Sequence, residues 1–394
     1  MSRLISFYGD DFTGSTDVME ALSTHGVKTI LFTRVPTGAE FAPYADYDAL
    51  GIAGTSRSQT PEWMDNNLPG IFEWLKSTNA TFTHYKVCST FDSSPTIGNI
   101  GRAMEIGARI FNQPMVPLII GAPQLKRYTF AGHLFAGYLG ATWRIDRHPV
   151  MSRHPVTPMQ ESDLRLHLAQ QTEMPVQVID VHDAMTQRQA GQRLLSEKPK
   201  FIVGSSGVEY ALVQLLSFPP VVFAPVPPVR QMLVISGSVS PTTERQIRHA
   251  LAHGFTAIEL DPQILDVEKA VAEANSILQN GGSPLVYTAL GPASDKHLTG
   301  DRSAIGQALG RIAQHCILKH KLPRIVVAGG DTSSYALAEL NVLTLETRYP
   351  LVATPGSPLC TAKTPAGHVL EIALKGGQVG GDDYFVALRD GLKD

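Results

Sequence analysis

Short apolar runs alternate with helical patterns along nearly the whole chain, and this alternation restricts the fold more than any other feature. Residues 4–8, 28–33, 49–55, 82–87, 116–121 and 201–204 read as buried strands. Helical patterns at residues 16–25, 61–76 and near 97–111 separate them. Residues 128–147, with their aromatics and glycines, read as a hairpin. The alternation stops at FPPVVFAPVPPVR, residues 218–230, whose five prolines lack N–H donors and discourage helix in the residue before each. It then restarts, with strands at 231–235, 256–260, 284–288 and 324–328 and a helix at 241–253. Ile264, Val267, Val271, Ala274 and Leu278 share one helical face, and Ile305, Ala308, Leu309, Ile312, Ala313, Cys316 and Ile317 share another.

Strands separated by helices predict a mainly parallel sheet covered on both faces. The fold class is therefore α/β, twice: two α/β domains, residues 1–220 and 230–394, with the active site expected in the cleft between them. A formal charge of 33 − 36 = −3 over 394 residues supplies no cationic face for a run of phosphates, so nucleic acid is not an expected partner. Cys88, Cys316 and Cys360 form no CxxC pair, which fits a reducing compartment. With no secretory h-region and no apolar stretch of roughly 18–20 residues, a soluble cytoplasmic protein is expected.

Ligands of open parallel sheets gather beyond the carboxyl ends of the strands. After the first strand comes GDDFTGSTD, residues 9–17. Asp10 and Asp11 there suit a general base for a substrate hydroxyl, or the capping of a helix start. Arg57, in GTSRS, offers a fork of donors to a small carboxylate, and Lys86, opening KVCSTFDSSPTIGN, is a second cation on the same edge. Cys88 reads as a small buried group. His148 and His154, with Arg144, Arg147 and Arg153, read as a solvated basic loop.

The second half carries four glycine-rich turns: VISGSVSPTT (234–243), VVAGGDTSSYAL (326–337), TPGSPLC (354–360) and LKGGQVGGDD (374–383). Glycine lets backbone N–H groups approach an anion, and a helix mouth adds positive potential, so the set points to a polyphosphate ligand. Neither GxxxxGK[ST] nor an early GxGxxG is present, which removes a Walker A loop and a standard NAD site. His249 and His253 stand four apart without an HExxH motif, and no metal site is read from them.

In order and spacing, YGDDFTGSTD, GTSRS, HYKVCST, HPVTPMQESDL (154–164), SGSVSPTTERQ, GGDTSS, PGSPLC and LKGGQVGGDDYF resemble the four-carbon acid sugar kinase family. The resemblance implies an N-terminal acid-sugar domain, a C-terminal ATP domain and transfer of the γ-phosphate to a sugar-acid hydroxyl. By the same resemblance Ser236, Gly237, Ser238, Gly329, Gly330, Asp331, Thr332, Gly356, Ser357, Pro358, Leu359 and Gly377 would line the ATP site. Ser89, Thr90 and Asp92 would join Arg57 and Lys86 around the sugar acid. The family's more usual K-x-D-S-T-L-R-G-N loop is altered here: Cys88 replaces an acid, and Asp92 stands where arginine is common. That departure suggests a 3-oxo or branched acid, such as a 3-oxo-tetronate or 3-oxo-isoapionate.

The expected mechanism has Asp11, with Asp10 as substitute, taking the hydroxyl proton while the GGDT and PGSP turns cradle ATP and Mg2+ bridges its phosphates. Two α/β domains also suit a sugar-acid dehydrogenase or aldolase, or a sugar-acid sensor without chemistry. ADP release dependent on a sugar acid separates these. A homo-oligomer is left open.

Overall fold

The computed structural model describes residues 3–154, 156–291, 301–351 and 354–392, and the backbone alone of Arg302 and Asp331. Pro155, in the HPVTPMQESDL segment, lies outside the described residues. The chain divides into two units, residues 1–221 and 222–394.

The first unit is built on β1 (Ile5–Gly9), β2 (Thr29–Phe32), β3 (Ala49–Ala53), β4 (Phe82–Lys86) and β5 (Val116–Ile119). Then come β6 (Arg127–Phe130), β7 (His133–Tyr138), β8 (Ala141–Arg144), β9 (Val176–Val178) and β10 (Phe201–Gly204). Seven of these form a sheet in the order β2-β3-β1-β4-β10-β5-β9. Every pairing in it is parallel. Six of its strands are buried along their length, with Ile5, Phe7, Tyr8, Leu31, Leu50 and Ile202 all shut off from solvent, as expected when helices cover both faces, and only the edge strand β9 is half-buried. Residues 128–147 form more than a hairpin: β6, β7 and β8 make a separate antiparallel sheet of three strands.

The second unit contains β11 (Leu233–Ser236), β12 (Phe255–Glu259), β13 (Ser283–Tyr287), β14 (Arg324–Ala328), β15 (Thr344–Tyr349), β16 (Leu359–Lys363) and β17 (Val369–Lys375). Their order is β12-β13-β11-β14-β17-β16-β15. The first five strands pair in parallel and the last three antiparallel. Sequence patterning overlooked β15, β16 and β17, because Thr344–Tyr349 mixes Glu346 and Arg348 with apolar residues and the other two adjoin glycine turns. Ile264 also departs from expectation. It is exposed and precedes the helix Val267–Gln279, whose buried face is Ala270, Ala274, Asn275 and Leu278.

Both units share one plan. The chain leaves β1 toward β2 on one side and leaves β4 toward the other; β11 and β14 repeat this. Each pair therefore flanks a point where the connections diverge and open a crevice. Gly9 pairs with Lys86 at one such point, and Ser236 with Ala328 at the other. No helix among the described residues is long and apolar enough to cross a membrane.

Candidate active site

Asp11 is the N-cap of the helix Phe12–Ser23, and one carboxylate oxygen accepts the Gly14 N–H at 2.5 Å. The capping reading is therefore correct for Asp11, which moves the helix start to Phe12. Its other oxygen accepts from Arg57 Nη1 at 2.8 Å. Burial alone would raise this carboxyl, but Arg57, Lys86 and the Gly14 N–H more than offset that and hold it below the ordinary carboxylate value.

Asp10 is different. Its backbone N–H donates to Lys86 C=O at 2.9 Å and its C=O accepts from Arg57 N–H at 3.0 Å, which fixes it between the loops after β1, β3 and β4. The side chain is 3% exposed, and Oδ1 is buried with no hydrogen-bond partner among the described residues. Burial, and then the Asp11 charge, push its carboxyl up to about 7 against the pull of Arg57 and Lys86.

Arg57 Nη2 reaches both oxygens of Asp92 at 3.0 Å. Thr90 Oγ1 donates to the same carboxylate at 2.5 Å and Thr157 Oγ1 at 2.9 Å. The Asp92 side chain is wholly buried. Burial alone would raise it, yet Arg57, the Thr90 hydroxyl and His154 bring it down to about 2. Asp92 thus spends its acceptors on the protein and aims Arg57. Lys86 is buried with Nζ 3.9 Å from Asp17 Oδ2. A Cβ placed on Gly14 would stand 2.7 Å from Asp11 Oδ1 and 2.8 Å from Lys86 Nζ, so only glycine lets the ammonium approach this helix mouth. Burial disfavours the ammonium, but Asp17, Asp10 and Asp11 keep it charged.

Ser89 is half-buried in the same loop. Cys88 is half-buried rather than buried, its Sγ 3.0 Å from Thr90 Oγ1. The basic loop is not simply solvated. His148 is buried and accepts the Val150 and Met151 N–H groups on Nδ1, while His154 Nδ1 is 3.0 Å from Thr157 Oγ1. Sequence reasoning quoted the segments that hold Asp17 (GDDFTGSTD) and Thr157 (HPVTPMQESDL) but gave neither residue a role, since their partners Lys86 and Asp92 lie 69 and 65 positions away. Arg127, half-buried with a buried Nε that has no partner among the described residues, was also given no role.

In the second unit, three glycine turns converge. A Cβ on Gly237 would collide with Thr332 Oγ1, and one on Gly329, at φ +120°, would lie 2.8 Å from that atom. A Cβ on Gly377 would lie 3.1 Å from Ser238 Oγ. Ser236 and Ser238 are buried, and the Ser238 N–H faces Ser236 Oγ at 3.4 Å. Gly330 opens the helix Gly330–Glu339, and a Cβ on it would meet nothing within 4 Å, so the mouth has room for an anion. The Asp331 side chain is outside the described part of the structure. In the PGSP turn Gly356 has φ +88°, Pro358 leads Leu359 into β16, and Tyr384 OH donates to Ser357 C=O at 3.2 Å. Two polar groups escaped sequence reasoning here. Thr288 Oγ1, one residue beyond β13, is buried without a partner among the described residues, and Lys375 is wholly buried at the end of β17.

Residues 5–214 match the family model described as sugar-binding N-terminal domain, and residues 233–385 the one described as nucleotide-binding C-terminal domain. Two α/β units with an acid–cation cluster at one divergence point and glycine turns at the other define a sugar-acid kinase. The chain belongs to the four-carbon acid sugar kinase family. It is 40% identical to the 3-oxo-isoapionate kinase of Paraburkholderia graminis, over 98% of this chain and 94% of that protein. Identity to the 3-oxo-tetronate kinase of Pseudomonas fluorescens is 28%, over 97% and 95%. A Haemophilus influenzae crystal structure of the DUF1537 group shares the fold, with TM-score 0.70 and 23% identity over 98% of this chain and 99% of that one.

Proposed function

We propose that the first unit binds a 3-oxo sugar acid of the 3-oxo-isoapionate type, that the second binds ATP, and that Asp10 is the general base. Asp10 carries the proposal, being a buried carboxyl whose Oδ1 has no hydrogen-bond donor among the described residues, set beside Arg57 and Lys86 where the β1 and β4 connections diverge. A substrate hydroxyl supplies the missing donor. As its oxygen bonds to the γ-phosphorus, the phosphorus–oxygen bond to the β-phosphate breaks, ADP leaves, and the hydroxyl proton passes to Asp10. The sequence expectation favoured Asp11; the Gly14 and Arg57 bonds instead make Asp11 an anchor for Arg57, which with Lys86 receives the substrate carboxylate.

In the cradle of Gly237, Gly329, Gly330 and Gly377, the Gly237 and Gly329 N–H groups go to the Ala328 and Lys375 carbonyls at 3.1 and 2.8 Å and set the turns, which leaves the Gly330 and Gly377 N–H groups to meet phosphate oxygens. Magnesium is taken to arrive with the nucleotide as MgATP, bridging its phosphates. The free cysteines Cys88, Cys316 and Cys360 fit a cytoplasmic setting. The substrate type follows the nearer of the two kinds of kinase compared, 40% against 28% identity.

Measuring ADP formation with 3-oxo-isoapionate, 3-oxo-tetronate and the corresponding non-oxidised acids tests the substrate. The branched 3-oxo acid should give the highest kcat/KM, and turnover confined to unoxidised tetronates would refute it. For the base, Asp10→Asn should lower kcat by about 10²–10⁴-fold, the usual share of general-base catalysis, with KM for ATP unchanged. In the wild type, kcat/KM for the sugar acid should rise with pH through an apparent pKa near 7, because only ionised Asp10 accepts a proton. Near-normal turnover by Asp10→Asn would transfer the role away from it.

A further inference from the structure

The turn after β17, residues 376–381, brings Gly377 against Ser238 but has few apolar side chains to hold its shape. What lies beneath it is an ammonium group. Lys375, fully buried, donates to Gly376 C=O at 2.8 Å, Gly377 C=O at 3.4 Å, Val379 C=O at 3.4 Å and Thr243 Oγ1 at 3.0 Å. Gln246 Nε2 takes Val379 C=O at 3.0 Å and Gly381 C=O at 2.9 Å. Carbonyls drawn to one side of a turn leave its N–H dipoles directed to the other, which is how a backbone nest for an anion is made. The pull extends further: Thr243 Oγ1 donates to Gly377 C=O at 3.2 Å and meets Ser238 Oγ at 3.0 Å, while the Lys375 carbonyl accepts the Gly329 N–H at 2.8 Å. One lysine therefore ties together the SGSVS, GGDT and KGGQ turns.

We propose that Lys375 is the positioning residue of the nucleotide-phosphate site, its ammonium holding the KGGQ turn directly and the SGSVS turn through Thr243 in the shape that presents their N–H groups to a triphosphate, while its main-chain carbonyl fixes the GGDT turn. The role rests on the reading that the second unit binds ATP. Three ammonium protons face four acceptors, so none remains for the ligand and Lys375 does not itself touch phosphate. No carboxylate among the described residues forms an ion pair with it. The charged groups on the elements around it are Glu244 and Arg245 beside Thr243, Asp382 and Asp383 at the end of the turn, and Asp331 at the start of the neighbouring helix; Arg245 engages Asp382 at 3.0 Å. Burial, unopposed, pushes the Lys375 ammonium down to about 7, so its hold on the turns weakens as pH rises.

Calorimetric titration of the full-length protein with MgATP and with adenosine tests this. Lys375→Met should weaken ATP at least tenfold and leave adenosine within twofold, because only the phosphate cradle is disturbed. In the wild type, ATP affinity should fall about tenfold between pH 6 and pH 8 while adenosine affinity stays level. Ionisation of the nucleotide's own phosphate acts in the opposite direction and cannot imitate that fall. Should Lys375→Met fail to fold, the wild-type pH series decides alone. Equal ATP affinity in Lys375→Met, or a flat wild-type series, overturns the role. Gly237→Val serves as the separate control: if it binds ATP as tightly as wild type, the nucleotide reading falls; if it loses ATP while Lys375→Met keeps it, only the lysine's role falls.

Discussion

Asp10 and Asp11 are neighbours in sequence and near-opposites in chemistry. One is buried, its Oδ1 without a donor among the described residues, and raised to about 7; the other caps a helix, pairs with Arg57 and stays ionised. Their linkage to stability follows from the signs. A carboxyl whose folded value is raised favours the fold only while protonated, so the Asp10 contribution fades as pH climbs from about 4 through 7. Asp10→Asn should accordingly stabilise the protein more at pH 8 than at pH 5, by roughly 1–3 kcal/mol, the cost of an unsatisfied buried polar group. Urea melts at the two pH values check this, and equal midpoint shifts would contradict it. Asp92, brought down to about 2, has the opposite sign: its contribution is complete above about 4 and is lost as pH falls toward 2. Because Asp92 aims Arg57, Asp92→Asn and Arg57→Lys should each raise KM for the sugar acid at least tenfold and leave KM for ATP unchanged. A change in KM for ATP alone would mean that the pair serves another ligand.

Among the elements, helix mouths and turns are where the proposed function puts its ligands, and one glycine can separate shape from binding. Gly330 sits at the first turn of its helix with open space where a Cβ would go. Gly330→Ala should leave stability equal or up to about 1 kcal/mol higher, since alanine favours helix. Yet KM for ATP should rise severalfold, because the methyl group would occupy the phosphate's place. Unchanged KM would move the phosphate off this helix mouth. At the helix Pro241–Ala252, Ser240 accepts the Thr242 N–H at 3.2 Å, and Ser240→Ala should cost about 1 kcal/mol in denaturant melts through loss of that cap. Elements were legible in sequence where apolar periodicity was strong, as in Arg302–His320, whose Ile305, Ala308, Leu309, Ile312, Ala313 and Cys316 are buried. They were not legible in β15 to β17, where alternation is broken by charged residues and glycine turns.

At the level of the whole chain, the proposed function gives each unit its own ligand, and ligand-linked stability should report the two separately. Saturating a site at 100 times its Kd stabilises the folded form by about 2.7 kcal/mol. Thermal melts should therefore shift upward with MgATP and with the sugar acid. Gly237→Val should abolish the first shift and spare the second, and loss of both together would deny separate addresses.

Sequence alone determined what depends on neighbours along the chain. Alternating apolar runs specified two α/β units, and glycines beside strand ends marked the turns, because φ freedom and apolar period are local properties. The tertiary structure decided which acid is free and which is engaged. Arg57 and Asp92 lie 35 positions apart, Asp92 and Thr157 65, and Lys375 and Thr243 132, and they meet only once the sheets order their strands. Protonation follows burial and partner count, and neither quantity exists before the chain folds.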